Sequence, residues 1–307
     1  MTAGADRLRP AWTSLPESLR AAALDVIGGE YISDAPAHGG FSATYAGTVV
    51  TTGGRAFVKA AGADWHADSV RLLRQEIVTL STLPSGVAPR VLGTVQDDIG
   101  AVLVVEAIDG RHPGRPWTAD DLHAVADALA VVGTTPAPRT LTAADESMVP
   151  GFTRWQEIAA TPDLRGALPP PVRDSLPRLR ELEAEFAGAV RGDVLVHDDV
   201  RADNILIADG RAHLLDWPHA RRGAAWVDLP CVLPSIEASG GPTCTQAYPV
   251  FEEHGAPPPR DLLPVIAGFA SYLWAEQSRP EIPQLPGLRA FQRAQAGPAL
   301  RWLAALV

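Results

Sequence analysis

Short apolar runs rich in β-branched residues dominate the first hundred positions of the chain and predict strands over residues 30–33, 44–51, 55–60, 89–95 and 101–105. Thr52-Gly53-Gly54 separates the second and third runs as a hairpin signal. Between them and the later strands, residues 68–80 change to helical spacing, with Asp68 or Ser69 as N-cap and Leu72, Leu73, Ile77 and Leu80 on one face. Residues 110–116, Gly-Arg-His-Pro-Gly-Arg-Pro, read as loop.

Beyond that loop the pattern becomes mainly helical. Thr118 to Asp121 opens a helix as a capping box, and residues 171–190 predict another. Proline breaks the chain at 135–138 and 168–171. Strand signals return at 194–196, 205–207 and 213–215, the last two flanking an Asp209-Gly210 turn. The last hundred residues are helical, with 257–260 as a linker. The longest uncharged apolar stretch, 262–275, contains a proline and falls short of the roughly 20 residues needed to span a bilayer. It is expected to be a core helix. The predicted architecture is α+β and bilobal: a β-rich N-terminal lobe with one key helix (1–105), a hinge (106–116) and a larger helical lobe (117–307).

Composition narrows the function. With 46% hydrophobic and 20% charged residues in 307, the chain is ordinary globular protein. A net charge of −10 argues against nucleic acid as the main partner. The two cysteines, Cys231 and Cys244, match no zinc spacing and are expected to be buried thiols. Residues 1–29 show no apolar signal core, so a cytoplasmic protein without a membrane segment is expected, with a monomer as the default state.

Two residue types are nearly absent. All 26 basic residues but one are arginine, the exception being Lys59, and Asn204 is the sole asparagine. Such survivors are expected where a compact point charge, or a neutral carbonyl plus amide, has no substitute. Asn204 lies in the densest motif of the chain, Val196-His-Asp-Asp-Val-Arg-Ala-Asp-Asn204, which contains His197-x-Asp199-x-x-x-x-Asn204. Asp216 follows twelve positions later in Leu214-Leu215-Asp216-Trp217. A loop carboxylate that accepts a hydroxyl proton, with an amide and a second carboxylate holding Mg²⁺, is the division of labour of a kinase catalytic loop.

These residues together resemble the aminoglycoside phosphotransferase (APH) family, small-molecule members of the protein-kinase-like fold, and its actinobacterial-type members in particular. The likeness runs from about Gly39 to Leu229. It implies Asp199 as the catalytic aspartate, Asn204 and Asp216 as metal ligands, and Lys59 as the strand lysine on the α/β-phosphates. Glu76 matches the helix glutamate that pairs with this lysine. Independently, Leu72, Leu73 and Leu80 place Glu76 on the apolar face of its helix, where a carboxylate needs a partner. Arg201 occupies the place of a cation near the transferring phosphoryl group, and His197 braces the loop.

Gly39, Gly40 and Ser42 form a loose phosphate loop that lacks the full Gly-x-Gly-x-x-Gly and also reads as a plain turn. Backbone groups around Val105 and Ala107 are expected to hold the purine, and Asp228 to steady the catalytic loop. Trp217 is expected to pack the core, and Glu181, Glu183 and Glu185 to form a solvated helix face.

The resemblance implies Mg²⁺-dependent transfer of a γ-phosphoryl group from ATP or GTP to a hydroxyl of a small molecule. Three readings compete. The first is an antibiotic phosphotransferase for aminoglycoside, peptide or nucleoside compounds, which the negative charge suits. The second is a metabolic kinase for a sugar, choline-like amine or amino alcohol. The third is a pseudokinase-like scaffold, which the presence of Lys59, Asp199, Asn204 and Asp216 disfavours. A protein kinase is also disfavoured, because Asp228 follows Asp216 closely and no Ala-Pro-Glu segment is present.

Overall fold

Alternation along two central strands organises the N-terminal half of the computed structural model, which describes residues 9–37, 40, 44–65, 67–114, 116–283 and 285–307. Helix α1 (Glu17–Ile27) precedes strands β1 (Tyr31–Pro36), β2 (Tyr45–Thr51) and β3 (Gly54–Gly62). Helix α2 (Ala67–Leu80) follows, then β4 (Val91–Gln96) and β5 (Gly100–Glu106). The five strands form one antiparallel sheet of order β1-β2-β3-β5-β4.

Ala56, Val58 and Ala60 of β3 and Val102 and Val104 of β5 are buried in one cluster with Trp12, Leu15, Leu19 and Ala23 at the start of the chain. The alternate residues Ala61, Ala101, Leu103 and Val105 join Val70, Leu73, Ile77 and Leu80 of α2 on the other face. Because side chains alternate across a strand, Lys59 shares the α2 face with Phe57 and Ala61. The register sets Lys59 opposite Ala46 and Leu103.

Helix α1 is absent from the sequence reading, which finds no apolar signal core in residues 1–29 and assigns no element there. Its signal is nonetheless present: Pro16 before Glu17, then Leu19 and Ala23, both fully buried, at i and i+4. The sheet is therefore covered on both faces, not packed around a single helix.

From β5 the chain next enters a helix at α3 (Ala119–Thr134), where Thr118 and Asp121 make the expected capping box. Five short helices follow: α4 (Ala144–Ser147), α5 (Val149–Phe152), α6 (Trp155–Ala160), α7 (Pro162–Gly166) and α8 (Pro170–Asp174). Helix α9 (Leu176–Ala189) is the remainder of the single helix expected over 171–190. Pro177 lies in its first turn, where a missing N–H is tolerated, so the chain restarts there instead of continuing.

Strand β6 (Val194–Val196) pairs with β9 (Arg221–Gly223), a strand not foreseen, and β7 (Ile205–Ala208) with β8 (Arg211–Leu214). Asp209 and Gly210 both have positive φ, as the tight turn of that hairpin requires. Helices α10 (Leu229–Ala238), α11 (Cys244–Glu253), α12 (Leu263–Gln277) and α13 (Leu288–Ala304) complete the chain. The expected core helix over 262–275 is α12, with twelve buried residues; the expected linker runs into a 3₁₀ turn at Pro259–Leu262. Among the described residues no helix is long and apolar enough to cross a membrane.

Candidate active site

Three elements bring the site together: β3 with α2, the β6–β7 loop, and the segment after β8. Lys59 on β3 donates to both carboxylate oxygens of Glu76, at 2.7 and 2.8 Å, and to Asp216 Oδ1 at 2.8 Å. The expected Lys59–Glu76 pair is present, with Asp216 added to it. Glu76 Oε1 also accepts the Trp217 N–H at 3.2 Å, so α2 holds the Asp216-Trp217 backbone directly.

Burial alone would push the Lys59 ammonium down in pKa; Asp216 and Glu76 outweigh it and hold it above its ordinary value. Burial raises Glu76, and Lys59 only partly counters this. Burial also acts upward on Asp216, but the Lys59 contact prevails and holds that carboxyl well below the usual range. Asp216 is thus firmly ionised, and its Oδ2 carries no hydrogen bond among the described residues.

The loop after β6 is held from below by buried polar groups. Asp228 accepts the backbone N–H groups of His197 at 2.9 Å and Asp198 at 2.8 Å, the bracing role expected of it. Burial raises its pKa to about 6 against these two bonds. His197 is fully buried, and its Nδ1 accepts the Asp199 N–H at 3.3 Å. Its Nε2 therefore carries the proton and donates to Leu215 O at 3.0 Å, tying the loop to the Asp216 segment. Burial pushes its pKa down to about 4, so the ring is neutral. Trp217 packs tilted against it at 4.3 Å and is fully buried, a core residue as expected.

Asp199 is reached by two side chains of its own loop. Asn204 Nδ2 donates to Asp199 O at 2.9 Å and to Oδ2 at 3.0 Å, leaving its Oδ1 carbonyl free. Arg201 Nη1 donates to Asp199 Oδ1 and, at 2.7 Å, to Oδ2. Burial raises the Asp199 pKa, with Arg201 opposing. The rest of the Arg201 fork, Nε and Nη2, goes to Asp203 at 3.0 and 3.1 Å. Asp203 is a site residue that the sequence reading passes over; its signal is an acid two positions after an arginine in a motif already dense in charge.

Two cavities meet at this loop. The first, about 980 Å³ of empty space partly open to solvent, lies under the sheet and is lined by Lys59, Glu76, Asn204 and Asp216, with Val105 and Leu103 on its apolar wall. Gly40, with a positive φ of 74°, also lines it, as does Arg9, whose guanidinium lies against Gly40. The expected phosphate-loop residues Gly39 and Ser42 lie outside the described residues. Of the expected purine contacts Val105 lines this cavity and Ala107 does not; Glu106 and Ile108 take its place.

The second cavity, about 910 Å³, contains Asp199 and Arg201, so Arg201 stands on the opposite side of the loop from Lys59. Cys231 also lines it and is half-buried, while Cys244 is buried. The expectation of two buried thiols therefore fails for Cys231, because its helix α10 borders a cavity. Glu183 likewise departs from the expected solvated face. It accepts the Trp155 N–H and caps α6, while Glu181 and Glu185 are exposed beside Arg178.

The donor set fits a hard divalent cation. Asn204 Oδ1 and Asp216 Oδ2 are unpaired oxygens on the first cavity, and Mg²⁺ is commonly held by one or two protein oxygens together with substrate phosphates. Among the described residues no group of three or more His, Cys, Asp or Glu forms an all-protein metal cage.

A β-rich lobe with a Lys–Glu pair, joined to a helical lobe that carries an Asp–Asn loop and an aspartate after the next hairpin, defines the protein-kinase-like α+β fold. The chain belongs to the APH phosphotransferase enzyme family, whose model matches residues 35–263. No curated protein matches the sequence. Among solved structures it is similar to the choline kinase LicA from Streptococcus pneumoniae, at 14% identity and TM-score 0.61, covering 94% of this chain and 98% of that one. It is similar to an aminoglycoside-3′-phosphotransferase of type VIII at 22% identity and TM-score 0.52, covering 83% and 98%. A microcompartment-associated aminopropanol kinase aligns at 16% identity and TM-score 0.56, covering 94% and 98%.

Proposed function

We propose that this protein transfers the γ-phosphoryl group of ATP or GTP to a hydroxyl of a small molecule, with the nucleotide in the first cavity and the acceptor in the second. The observation that carries this reading is the Asp199–Asn204 hydrogen bond, which joins a residue of one cavity to a residue of the other. A nucleotide phosphate beside Asn204 and Asp216 and a hydroxyl at Asp199 then approach each other across the loop.

In this reading Lys59, fixed by Glu76, contacts the α/β-phosphates, and Gly39, Gly40 and Ser42 offer the phosphate loop. Backbone groups near Val105 and Ala107 take the purine. Asn204 and Asp216 would hold Mg²⁺, which would supply charge neutralisation at the nucleotide phosphates. Asp199 orients the acceptor hydroxyl and receives its proton. The hydroxyl oxygen forms a bond to Pγ while the bond from Pγ to the β–γ bridging oxygen breaks, releasing the nucleoside diphosphate. Burial raises the pKa of the Asp199 carboxyl, which strengthens it as an acceptor for that proton. Arg201 fixes Asp199 instead of touching phosphate, since its Nη1 donates to Asp199 and its Nε and Nη2 to Asp203. Residues 1–105, 106–116 and 117–307 act as nucleotide lobe, hinge and acceptor lobe.

An antibiotic is the first acceptor class to test, favoured by the family and by a net charge of −10 that attracts cationic compounds. A metabolic alcohol is the second, favoured by the likeness to choline and aminopropanol kinases. The deciding experiment incubates the protein with Mg²⁺, ATP or GTP and pooled antibiotics, sugars and amino alcohols, and reads phosphoryl mass gain by mass spectrometry. A gain on one compound that is absent with Asp199→Ala is the expected result. Equal gain with Asp199→Ala overturns the assignment of that residue.

A further inference from the structure

The segment ahead of α1 reaches the first cavity from the far side of the sheet. Trp12 is 4% exposed; it stacks on Tyr31 of β1 with ring centroids 5.9 Å apart and meets Tyr45 of β2 edge-on at 5.2 Å. Its cluster, with Val49, Ala56 and Val58, lies on the sheet face opposite α2. Side chains alternate along β2, so Tyr45 belongs to that outer face while Ala46 and Thr48 line the cavity. Arg9, three positions before Trp12, nevertheless lines the cavity with Ala46 and Lys59. The chain therefore turns around the loop end of the β1–β2 hairpin between residues 9 and 12.

At that end the guanidinium lies on a glycine. Arg9 is half-buried, and its Nη1 donates to Thr44 Oγ1 at 3.5 Å. Gly40 has φ 74°, a left-handed conformation that favours glycine. A Cβ there would also run into Arg9 Nη2. Backbone conformation and the room taken by Arg9 thus both demand that position 40 carry no side chain.

The charges around the cavity give this arginine a purpose. Among the described residues, Lys59 and Arg9 are the lysine and arginine that line it, against Glu76, Glu106, Asp203 and Asp216. Lys59 is divided between Glu76 and Asp216 at 2.7–2.8 Å. A nucleoside triphosphate remains anionic with one Mg²⁺ bound, and phosphoryl transfer relies on cations placed around that charge. A lysine shared by two carboxylates supplies little of this. A guanidinium presents a planar fork of donors that matches phosphate oxygens two at a time.

We infer that Arg9 binds the polyphosphate of the nucleotide donor, entering the site from a segment outside residues 35–263, the part matched by the family model. This rests on the reading that places the nucleotide in the first cavity, and it adds a cation that the Lys59–Glu76–Asp216 triad does not provide. Arg9 is a binding residue: it holds phosphate and takes no part in proton transfer at Asp199.

The test compares the full-length wild type with Arg9→Gln and Arg9→Lys. Adenosine, guanosine and their di- and triphosphates are titrated with Mg²⁺ present, the nucleotides by calorimetry and the nucleosides by saturation-transfer NMR. In Arg9→Gln the di- and triphosphate of the preferred base should bind about tenfold or more weaker, while the nucleoside stays within about threefold. Arg9→Lys, which keeps the charge but not the fork, should recover part of the loss. An equal loss for nucleoside and nucleotides marks a structural role and overturns the inference. Unchanged or tighter nucleotide binding in Arg9→Gln also overturns it, the tighter case meaning that Arg9 fills the phosphate space instead of serving it. If the wild type binds neither nucleosides nor nucleotides, the phosphotransferase reading beneath the inference falls with it.

Discussion

Replacing Glu76 by glutamine tests the junction between the lobes. Glu76 is 4% exposed, and its two oxygens receive Lys59 at 2.7 and 2.8 Å and the Trp217 N–H at 3.2 Å. Glutamine keeps the volume and one acceptor but loses the charge. A hydrogen bond to a charged group contributes about 1.5–3 kcal/mol. The full ~3–5 kcal/mol of a broken buried ion pair is not reached, because Asp216 remains on Lys59 at 2.8 Å. Relief of the burial that raises Glu76 offsets part of the loss. The net is about 2 kcal/mol, which corresponds to roughly a thirtyfold change in an equilibrium constant and a melting point lower by about 3 °C. Lys59, left with Asp216 alone, also competes with Mg²⁺ for that carboxylate. Steady-state kinetics at several Mg²⁺ concentrations with scanning fluorimetry should therefore show a nucleotide KM raised about tenfold or more and a higher Mg²⁺ requirement. A folded variant with unchanged nucleotide KM at every Mg²⁺ level refutes the argument that this triad positions phosphate.

Asp199→Ala is expected to lower kcat by about 10³ or more while nucleotide affinity, read by calorimetry, stays within a few-fold. His197, held neutral at about 4, contributes stability that is complete above the free imidazole value near 6.5 and is lost as pH falls through 4, by about 3 kcal/mol in all. Asp228, held up at about 6, acts in the opposite sense: its contribution is complete below the ordinary carboxylate value and is lost as pH rises through 6. The two offset each other in the native chain, so His197→Gln, whatever its cost at pH 7.5, should melt progressively closer to the wild type as pH falls to 4.5; a pH-independent difference would contradict the neutral ring. Gly268→Ala should destabilise by about 1–3 kcal/mol in denaturant titration, because a Cβ there runs into the Phe186 ring where α9 crosses α12; an unchanged midpoint would mean the ring moves aside freely.

Much of the site was legible because chemistry restricts residue type. Lys59 and Asn204 stood out in a chain otherwise free of lysine and asparagine, and both line the first cavity. Glu76 was legible from helix phase alone, since a carboxylate among leucines at −4, −3 and +4 has to be paired. Helix α1 was overlooked because its buried face is narrow, Leu19 and Ala23, and its partner is the far side of a sheet whose two faces the sequence does not label. Strand β9 escaped notice because it is three residues of Arg-Arg-Gly, polar by composition and a strand only through pairing with β6.

Local order along the chain, then, was determined by the sequence itself: strand runs with period two, the capping box at Thr118, the Asp209-Gly210 turn, and the spacing from Asp199 to Asn204 to Asp216. Each depends on neighbours a few residues away, so sequence carries it. What only the tertiary structure decided is which charges share which cavity. Arg201 turns to Asp199 and Asp203, Asp216 joins Lys59 across 157 positions of chain, and Asp198 faces Arg221 with no hydrogen bond between them. Those outcomes depend on a left-handed backbone at single residues and on long-range packing that removes water, and neither is written in any local pattern.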